Sequence, residues 1–240
     1  LGEPNSIFSE ILAKFFYSKK FKLFKKKIII IGNIKLFKEQ TSLMGYNFNL
    51  HEINNLDRAM RKKINFINIE YQFKKPFEEN NKKSKIYLQH CFKKSLDILK
   101  KNKNLVLING PISKIHFLNR KYLGITEYLS KKTRSSSYAM LIYNKKLSVV
   151  PITTHLPINQ VSKNISKKII IDKIRLTYDF FKNKLNKVPK IAVLGLNPHC
   201  ESIQIISEEK KYIVPAINLL KKKMQIDGPF SADTFFINKN

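Results

Sequence analysis

With 240 residues, the chain is long enough to bury a substantial core as one large domain or two smaller ones. Hydrophobic residues make up 43% of it, yet the longest purely apolar run, Tyr138–Tyr143, is far too short to span a membrane. We therefore expect a soluble, cytoplasmic protein. Its 46 basic and 17 acidic residues give a net charge of +29, which favours anionic ligands.

This positive charge does not by itself indicate a nucleic-acid partner. Only five of the basic residues are Arg, the side chain that best binds phosphates and base edges. The lysines are spread along the whole chain, a pattern typical of an AT-rich genome. We therefore expect a phosphorylated small molecule as the ligand, rather than DNA or RNA. The two cysteines, Cys91 and Cys200, are too few for a disulfide framework.

In the first half of the chain, short apolar runs alternate with helical periodicity, which predicts an α/β fold. The predicted elements are, in order, a helix over Ser6–Lys19, a buried strand over Lys27–Asn33, a strand over Ile64–Tyr71, a long polar loop over Gln72–Lys83, a helix over Ser84–Lys101, a strand over Leu105–Asn109 and a helix over Ser113–Tyr122.

The second half continues the same alternation. Its predicted elements are a hairpin of Ser136–Tyr143 with Leu147–Thr154, a helix over Ser166–Leu185, a buried strand over Lys190–Leu196 and a helix over Glu208–Lys223. Ser207 is expected to cap the last helix, and Pro215 is expected to kink it.

Two of the five histidines follow directly after apolar strands. His155 follows the second strand of the hairpin, and His199 follows the strand over Lys190–Leu196. Ligands of open α/β sheets bind at the carboxyl ends of strands, and neutral imidazole nitrogens bind divalent metals. This position makes the two histidines candidate metal ligands, although loop histidines of this kind are common. The chain has neither a GxGxxG motif nor a P-loop.

Five short segments stand in a fixed order along the chain. They are Asn109-Gly-Pro-Ile-Ser-Lys114, Gly124-Ile-Thr-Glu127, Thr153-Thr-His-Leu-Pro157, Gly195-Leu-Asn-Pro-His199 and Gly228-Pro-Phe-Ser-Ala-Asp-Thr-Phe-Phe236. The succession resembles the 4-hydroxythreonine-4-phosphate dehydrogenase family, whose segments read TGPxxK, GHTE, TTHLP, GLNPH and GPxxADT. Gly2-Glu-Pro4 resembles the family's opening turn. Because five pieces in one order are hard to obtain by chance, the sequence is identified as a member of that family.

The resemblance implies an isopropylmalate-dehydrogenase-like α/β/α sandwich with two lobes around a cleft. We expect a first lobe over residues 1–115 and a second lobe over residues 116–240 that carries the metal histidines. The resemblance also implies a homodimer and a divalent metal (Zn, Mg or Co). With NAD or NADP, the enzyme would oxidise and decarboxylate 4-phosphohydroxy-L-threonine, or a related phosphorylated hydroxy acid, in pyridoxal phosphate biosynthesis.

The same resemblance implies roles for individual residues. His155 and His199 match two of the family's three metal ligands, and Thr126 matches a substrate-binding threonine. Asp233 matches an acidic residue beside the substrate, and Lys114 matches a lysine that meets an anionic group. We therefore expect Asp233 and Lys114 to be catalytic residues.

The sequence also departs from the family pattern. Ile125 replaces the histidine of GHTE, and Cys200-Glu-Ser-Ile-Gln204 replaces a glycine-rich stretch. The family's third metal histidine and its later substrate contacts would lie beyond Asn240, so we expect a C-terminally shortened member. These departures leave a second hypothesis open, a catalytically degenerate member that acts as a ligand-binding or interaction module.

Overall fold

The computed structural model describes residues 2–79, 81–102, 104–200 and 207–237. The chain divides into two compact units, Leu1–Tyr122 (unit 1) and Leu123–Asn240 (unit 2). The predicted end of the first lobe, residue 115, lies within unit 1. Each unit contains its own parallel sheet with helices packed on it, which confirms the predicted α/β class. Among the described residues, no helix is both long and apolar enough to cross a membrane.

Unit 1 contains a three-stranded sheet in which the middle strand is parallel to both neighbours. Its elements are helices α1 (Phe8–Tyr17), α2 (Lys19–Leu23), α3 (Ile34–Leu43) and α4 (Asn81–Lys101), and strands β1 (Ile29–Gly32), β2 (Leu50–Glu52) and β3 (Ile64–Asn68). The strand order is β1-β3-β2, and the register aligns Ile30 with Phe66. Helix α3 and strand β2 were not predicted from the sequence.

Both faces of this sheet are covered by apolar side chains. On one face, Phe66 of β3 packs in an aromatic cluster with Phe16 and Phe37. On the other face, Ile67 packs in a smaller cluster that Ile98 of α4 covers. Alternate residues of β3 thus point to opposite faces and both are buried, as expected for a strand in the middle of a parallel sheet.

One buried amide connects the strands of unit 1 to a neighbouring turn. The side chain of Asn65 is fully buried, and its Nδ2 donates to the carbonyls of Ile28 and Met60 at 2.9 and 2.8 Å. Its Oδ1 accepts from the Met60 N–H at 2.8 Å. A buried polar group that makes all these bonds does not destabilise the core.

Unit 2 contains a smaller sheet of two parallel strands. Its elements are helices α5 (Ile125–Thr133), α6 (Ile158–Val161), α7 (Lys167–Leu185) and α8 (Val214–Lys221), and strands β4 (Ile191–Leu194) and β5 (Ile226–Phe230). Ser166, predicted as the first residue of this helix, caps α7, since its hydroxyl accepts from the Ile169 N–H. The core lies between α7, α8 and β5, where Ile170, Ile217 and Ile226 are buried.

The predicted helix after Ser207 forms, with an irregular first part. A π-helical turn over Glu209–Ile213 precedes α8, and Pro215 lies in the first turn of α8. Pro215 has no N–H to donate to the carbonyl four residues earlier, and the wider π-helical turn lies immediately before it. The Ser207 hydroxyl accepts from the Lys210 N–H at 3.3 Å, which confirms the predicted cap.

Two predicted elements are wrong, and a third forms only in part. Leu105–Asn109 forms no strand, and Val106 and Ile108 are 85% and 76% exposed, because no described strand pairs with this run. Ser113–Tyr122 forms turns instead of a helix, since Asn119 and Arg120 both adopt left-handed backbone angles. The predicted hairpin is reduced to a single antiparallel bridge between Ile142 and Val149.

The strand predicted over Lys190–Leu196 forms as β4 but is not buried. Ala192 is exposed, and the other residues of β4 are half-buried. β4 pairs only with β5 among the described residues, so its second edge has no neighbouring strand there. The apolar sequence therefore predicted the strand correctly and its surroundings wrongly.

Candidate active site

In unit 1, the opening Gly2-Glu-Pro4 turn packs directly on the Asn109–Lys114 segment. The Glu3 N–H donates to the Pro111 carbonyl at 2.9 Å, and Glu3 Oε1 accepts from the Ser113 N–H at 3.1 Å. A Cβ on Gly2 would lie 2.6 Å from the Pro111 oxygen, so only glycine allows this approach. Burial raises the pKa of Glu3, although the Ser113 N–H opposes this effect.

Lys114 lies at the end of this assembly, on a turn, and is exposed to solvent. The chain reverses at Ser113, whose hydroxyl accepts from the His116 N–H at 3.1 Å. Lys114 is therefore presented on a short, locally bonded turn instead of on the predicted helix. An exposed ammonium on such a turn can meet an anionic group without being desolvated first.

In unit 2, the Gly124–Glu127 segment contacts the Thr153–Pro157 segment. Glu127 Oε1 accepts from the Thr154 hydroxyl at 2.9 Å. A Cβ on Gly124 would lie 3.2 Å from Nε2 of His155, so the glycine leaves room for the imidazole. His155 itself is exposed and adopts a left-handed φ of 58°. Thr126, in the first turn of α5, is half-buried.

A third assembly, after those around Glu3 and Glu127, joins the ends of the two strands of unit 2. His199 Nδ1 lies 2.8 Å from Asp233 Oδ2, and the Ala232 N–H donates to the Pro198 carbonyl at 2.7 Å. The Ser231 hydroxyl lies 3.0 Å from both the Pro198 carbonyl and Asp233 Oδ1. The Ser231 hydroxyl lowers the pKa of Asp233, and the nearby His199 lowers it further.

Glu209 is a site residue that the sequence did not reveal. Its carboxylate is buried, and Oε1 accepts from the N–H groups of Leu196 and Asn197, each at 2.9 Å. Burial alone would raise the pKa of Glu209, but these backbone donors and the Ser207 hydroxyl outweigh burial and lower it. Glu209 thereby fixes the loop that presents His199. In the sequence, it reads only as one of two acidic residues at a helix start.

Each predicted site residue in unit 2 thus lies in an assembly of family segments. The structure brings His199 to Asp233 and places His155 against Gly124. Among the described residues, no three His, Cys, Asp or Glu side chains converge closely enough to hold a metal ion. Residues 201–204 of the Cys200–Gln204 segment lie outside the described residues.

The contacts of His199 in the third assembly leave its imidazole able to bind a ligand. Asp233 occupies Nδ1 of His199, which leaves Nε2 as the free ring nitrogen, and the side chain is 71% exposed. A carboxylate on one ring nitrogen fixes the tautomer and increases the basicity of the other, as is common for metal-binding histidines. Asp233, expected beside the substrate, is in contact with His199 in the structure.

Two cavities in the described part of unit 2 are lined in part by residues of the family segments. The larger, about 1120 Å³, is an apolar cleft beside β4 and β5 that none of the predicted site residues line. The smaller, about 310 Å³, is lined by Glu127, Thr153, Thr154 and Lys173, among others. None of the predicted site residues lines this cavity either, although Thr154 and Leu156, the two neighbours of His155 in the chain, do.

The fold matches that of known dehydrogenases. A solved structure from Salmonella typhimurium, provisionally assigned as a 4-hydroxythreonine-4-phosphate dehydrogenase, superimposes with a TM-score of 0.81 at 26% identity. The match covers 98% of this chain and 75% of that one. The fold and the assembled segments define an oxidoreductase of the α/β dehydrogenase class.

Sequence comparison gives the family within that class. Residues 24–240 match the profile of the pyridoxal phosphate biosynthetic protein PdxA. The 4-hydroxythreonine-4-phosphate dehydrogenase of Sulfurihydrogenibium sp. is 37% identical over 98% of this chain and 74% of its own length. The enzyme of the same name from Aquifex aeolicus is 33% identical over 99% of this chain and 74% of its own length. The chain belongs to the PdxA family, which confirms the resemblance seen in the sequence.

Proposed function

We propose that the chain oxidises the C3 hydroxyl of 4-phosphohydroxy-L-threonine, or of a related phosphorylated hydroxy acid, with NAD or NADP as the hydride acceptor. Decarboxylation of the product follows, as a step of pyridoxal phosphate biosynthesis. The observation that carries the proposal is the His199–Asp233 contact of 2.8 Å, formed between two of the family segments. The net charge of +29 suits a phosphorylated, anionic substrate.

A divalent metal is part of this proposal, and the donor chemistry of the residues fits one. His155 and His199 would supply nitrogen ligands, which suit zinc or cobalt better than magnesium. Support comes from Asp233, which occupies one ring nitrogen of His199 and leaves the other free. When bound, the metal would act as a Lewis acid toward the substrate hydroxyl and the ketone formed from it.

The side chains of the chain itself would bind the substrate and orient His199. Asp233 holds the imidazole of His199 in one tautomer, and Glu209 holds the backbone of its loop. Thr126 is proposed to donate a hydrogen bond to the substrate, and the Lys114 ammonium to meet one of its anionic groups. The chain has no GxGxxG segment, so a nicotinamide cofactor would be held without that motif. We further propose a cytoplasmic homodimer.

One observation favours the second hypothesis, a family member without catalysis. Ile125, at the start of α5, stands where the family has a histidine that contacts substrate. An isoleucine side chain can neither donate nor accept a hydrogen bond, so that contact is lost. Such a protein would still bind the metal or the substrate without turning the substrate over.

The test compares the wild-type chain with the His155→Ala/His199→Ala double variant and with His90→Ala, an exposed histidine of α4, as a matched control. Calorimetry measures binding of zinc, cobalt and magnesium, and absorbance follows NAD reduction with 4-phosphohydroxy-L-threonine. We expect metal binding and turnover in the wild-type chain and in His90→Ala, and neither in the double variant.

Two other outcomes have defined meanings. Metal binding that the double variant retains would overturn the proposed metal site. Metal binding by the wild-type chain without NAD or NADP reduction would overturn the proposed activity and favour the non-catalytic hypothesis.

A further inference from the structure

The two carboxylate oxygens of Glu127 have different surroundings. Oε1 accepts from the Thr154 hydroxyl at 2.9 Å. Oε2 is buried, and no hydrogen-bond donor among the described residues reaches it. A buried carboxylate oxygen without a partner destabilises a protein by more than a neutral group would. Such an atom calls for a physical explanation.

The imidazole of His155 is a donor on the same side of Gly124 as this oxygen. A Cβ built on Gly124 would lie 3.0 Å from Glu127 Oε2 and 3.2 Å from His155 Nε2. The two atoms are therefore within about 6.2 Å of each other, the sum of those distances. Because residue 124 is glycine, the space at this point is free of side-chain atoms. A hydrogen bond between them requires the exposed imidazole to rotate toward Oε2.

The backbone beside His155 is already tied to the same carboxylate. The hydroxyl of Thr154, the preceding residue, donates to Oε1. His155 adopts a left-handed backbone conformation that is uncommon for residues other than glycine. A conformation of this kind persists only where neighbouring contacts impose it. Glu127, on the first turn of α5, provides one such contact from a regular element.

We propose that Glu127 is the positioning residue of His155: Oε2 accepts an N–H from the imidazole and so selects which ring nitrogen is left to bind the metal. The inference rests on the proposed function, because it assumes that His155 is a metal ligand. A carboxylate that accepts from a metal-binding histidine fixes its tautomer and raises its basicity. In the described structure, Glu127 would thus do for His155 what Asp233 does for His199.

Lys173 offers a competing explanation for the buried oxygen. It lines the same cavity of about 310 Å³, and its charge interacts with that of Glu127. However, the Lys173 ammonium donates to the Tyr138 carbonyl at 2.6 Å and lies 4.5 Å from the centre of the Tyr138 ring. Its charge is therefore already stabilised by other groups, which favours His155 over Lys173 as the donor to Oε2.

The experiment measures cobalt affinity by visible absorption in the full chain. Glu127→Leu removes both acceptor oxygens, whereas Glu127→Gln keeps one. We expect Glu127→Leu to weaken cobalt binding by about ten- to a hundredfold and Glu127→Gln to weaken it less. Glu208→Gln is the matched control, because Glu208 also accepts from a hydroxyl, that of Ser162 at 2.6 Å, and it should leave the affinity unchanged.

A second measurement needs no metal. The ¹⁵N chemical shifts of the His155 ring report its tautomer, and we expect one dominant tautomer in the wild-type chain and a mixture in Glu127→Leu. A loss of structure would not produce this change selectively, and circular dichroism of each variant checks that it folds. If Glu127→Leu does not fold, Glu127→Gln and the wild-type tautomer still test the proposal.

The outcomes separate this inference from the proposed function. If His155→Ala abolishes cobalt binding while Glu127→Leu changes neither the affinity nor the tautomer, the role of Glu127 is overturned and the metal site stands. If Lys173→Gln reproduces the losses seen in Glu127→Leu, Glu127 is the counter-ion of the lysine and the proposal is wrong. If His155→Ala leaves cobalt binding unchanged, the metal site itself is overturned.

Discussion

In unit 1, β3 lies between two parallel neighbours, and Phe66 and Asn65 on its two faces are both fully buried. In unit 2, β4 pairs with β5 alone among the described residues, and Ala192 at its centre is exposed. The less buried strand is the more apolar one, since β4 reads Ile-Ala-Val-Leu whereas β3 contains Asn65 and Asn68. The comparison teaches that the burial of a strand depends on the elements available to cover it, and not on its own composition.

The two sheets also differ in what their polar groups do. In unit 1, the amide of Asn65 bonds to backbone groups and holds the fold together. In unit 2, the carboxylates of Glu209 and Asp233 bond to the loop that carries His199 and to His199 itself. The buried Asn65 thus stabilises the core of unit 1, whereas the buried Glu209 and the exposed Asp233 surround His199 in unit 2.

Truncating a central side chain in each sheet should give the largest difference in unfolding free energy between the two units. Phe66→Ala leaves a cavity in the covered sheet, and we expect it to lower the free energy of unfolding by about 3–5 kcal/mol. Val193→Ala removes half-buried carbons from β4, and we expect a loss of about 1 kcal/mol. Urea unfolding followed by circular dichroism measures both. Equal losses of unfolding free energy would contradict the proposed difference between the two sheets. Hydrogen exchange would show in which unit each substitution lowers the protection of backbone amides.

Loss of the Glu209 carboxylate should have an intermediate effect. Glu209→Ala leaves the N–H groups of Leu196 and Asn197 without their acceptor, and we expect a loss of about 1–3 kcal/mol in the free energy of unfolding. Glu209→Gln keeps one carbonyl oxygen and should lose less. Thermal unfolding at neutral pH compares the two variants. If alanine and glutamine behave alike, the carboxylate does not hold the loop.

The smallest expected effect on stability comes from Glu3, and its size depends on pH. Its pKa is raised from the ordinary 4.5, so the folded state holds the proton more tightly than the unfolded chain. The resulting stabilisation is fully present below pH 4.5 and is lost as pH rises through the folded pKa. Glu3→Gln carries no charge, and we expect it to be slightly more stable than the wild-type chain at pH 7.

Melting temperatures at pH 7 and near pH 4 test this expectation, with the exposed Glu52→Gln as the control. The advantage of Glu3→Gln should shrink at the lower pH. Glu209 should show the opposite sign, since its lowered pKa gives stability that is present above pH 4.5 and is lost as pH falls through its folded pKa. An advantage for Glu3→Gln that does not change with pH would argue against a charge effect.

The sequence predicted best the elements whose own periodicity is strong. The helices α1, α4 and α7 and the strands β1 and β3 form where their apolar spacing indicated, and Ser207 acts as the predicted cap. Predictions from the local sequence failed where contacts with residues elsewhere in the chain determine the secondary structure. Leu105–Asn109 has the composition of a strand but no described strand beside it, and the left-handed Asn119 and Arg120 end a helical pattern that the sequence suggested.

The candidate site was predictable only as a set of segments. The order of the motifs led to the family, and the contact between His199 and Asp233 joins two of them. Glu209 was not visible as a site residue, and the hydrogen bond of Glu127 to Thr154 was not predicted, because the backbone and hydroxyl groups that they bind carry no sequence signal. The assigned roles of Thr126 and Lys114 stay predictions.

The second edge of β4, which no described strand covers, lies beside the apolar cleft and has a consequence for how copies of the chain behave in solution. An unpaired strand edge is a template for strand exchange between molecules, and apolar surface beside it favours adhesion. Lys145, Lys146 and Lys190 line the same cleft, and the net charge of +29 makes copies repel one another. This repulsion acts over only about 8 Å at physiological ionic strength. The lysine excess thus acts as a colloidal stabiliser of an uncovered sheet, most effective when salt is low.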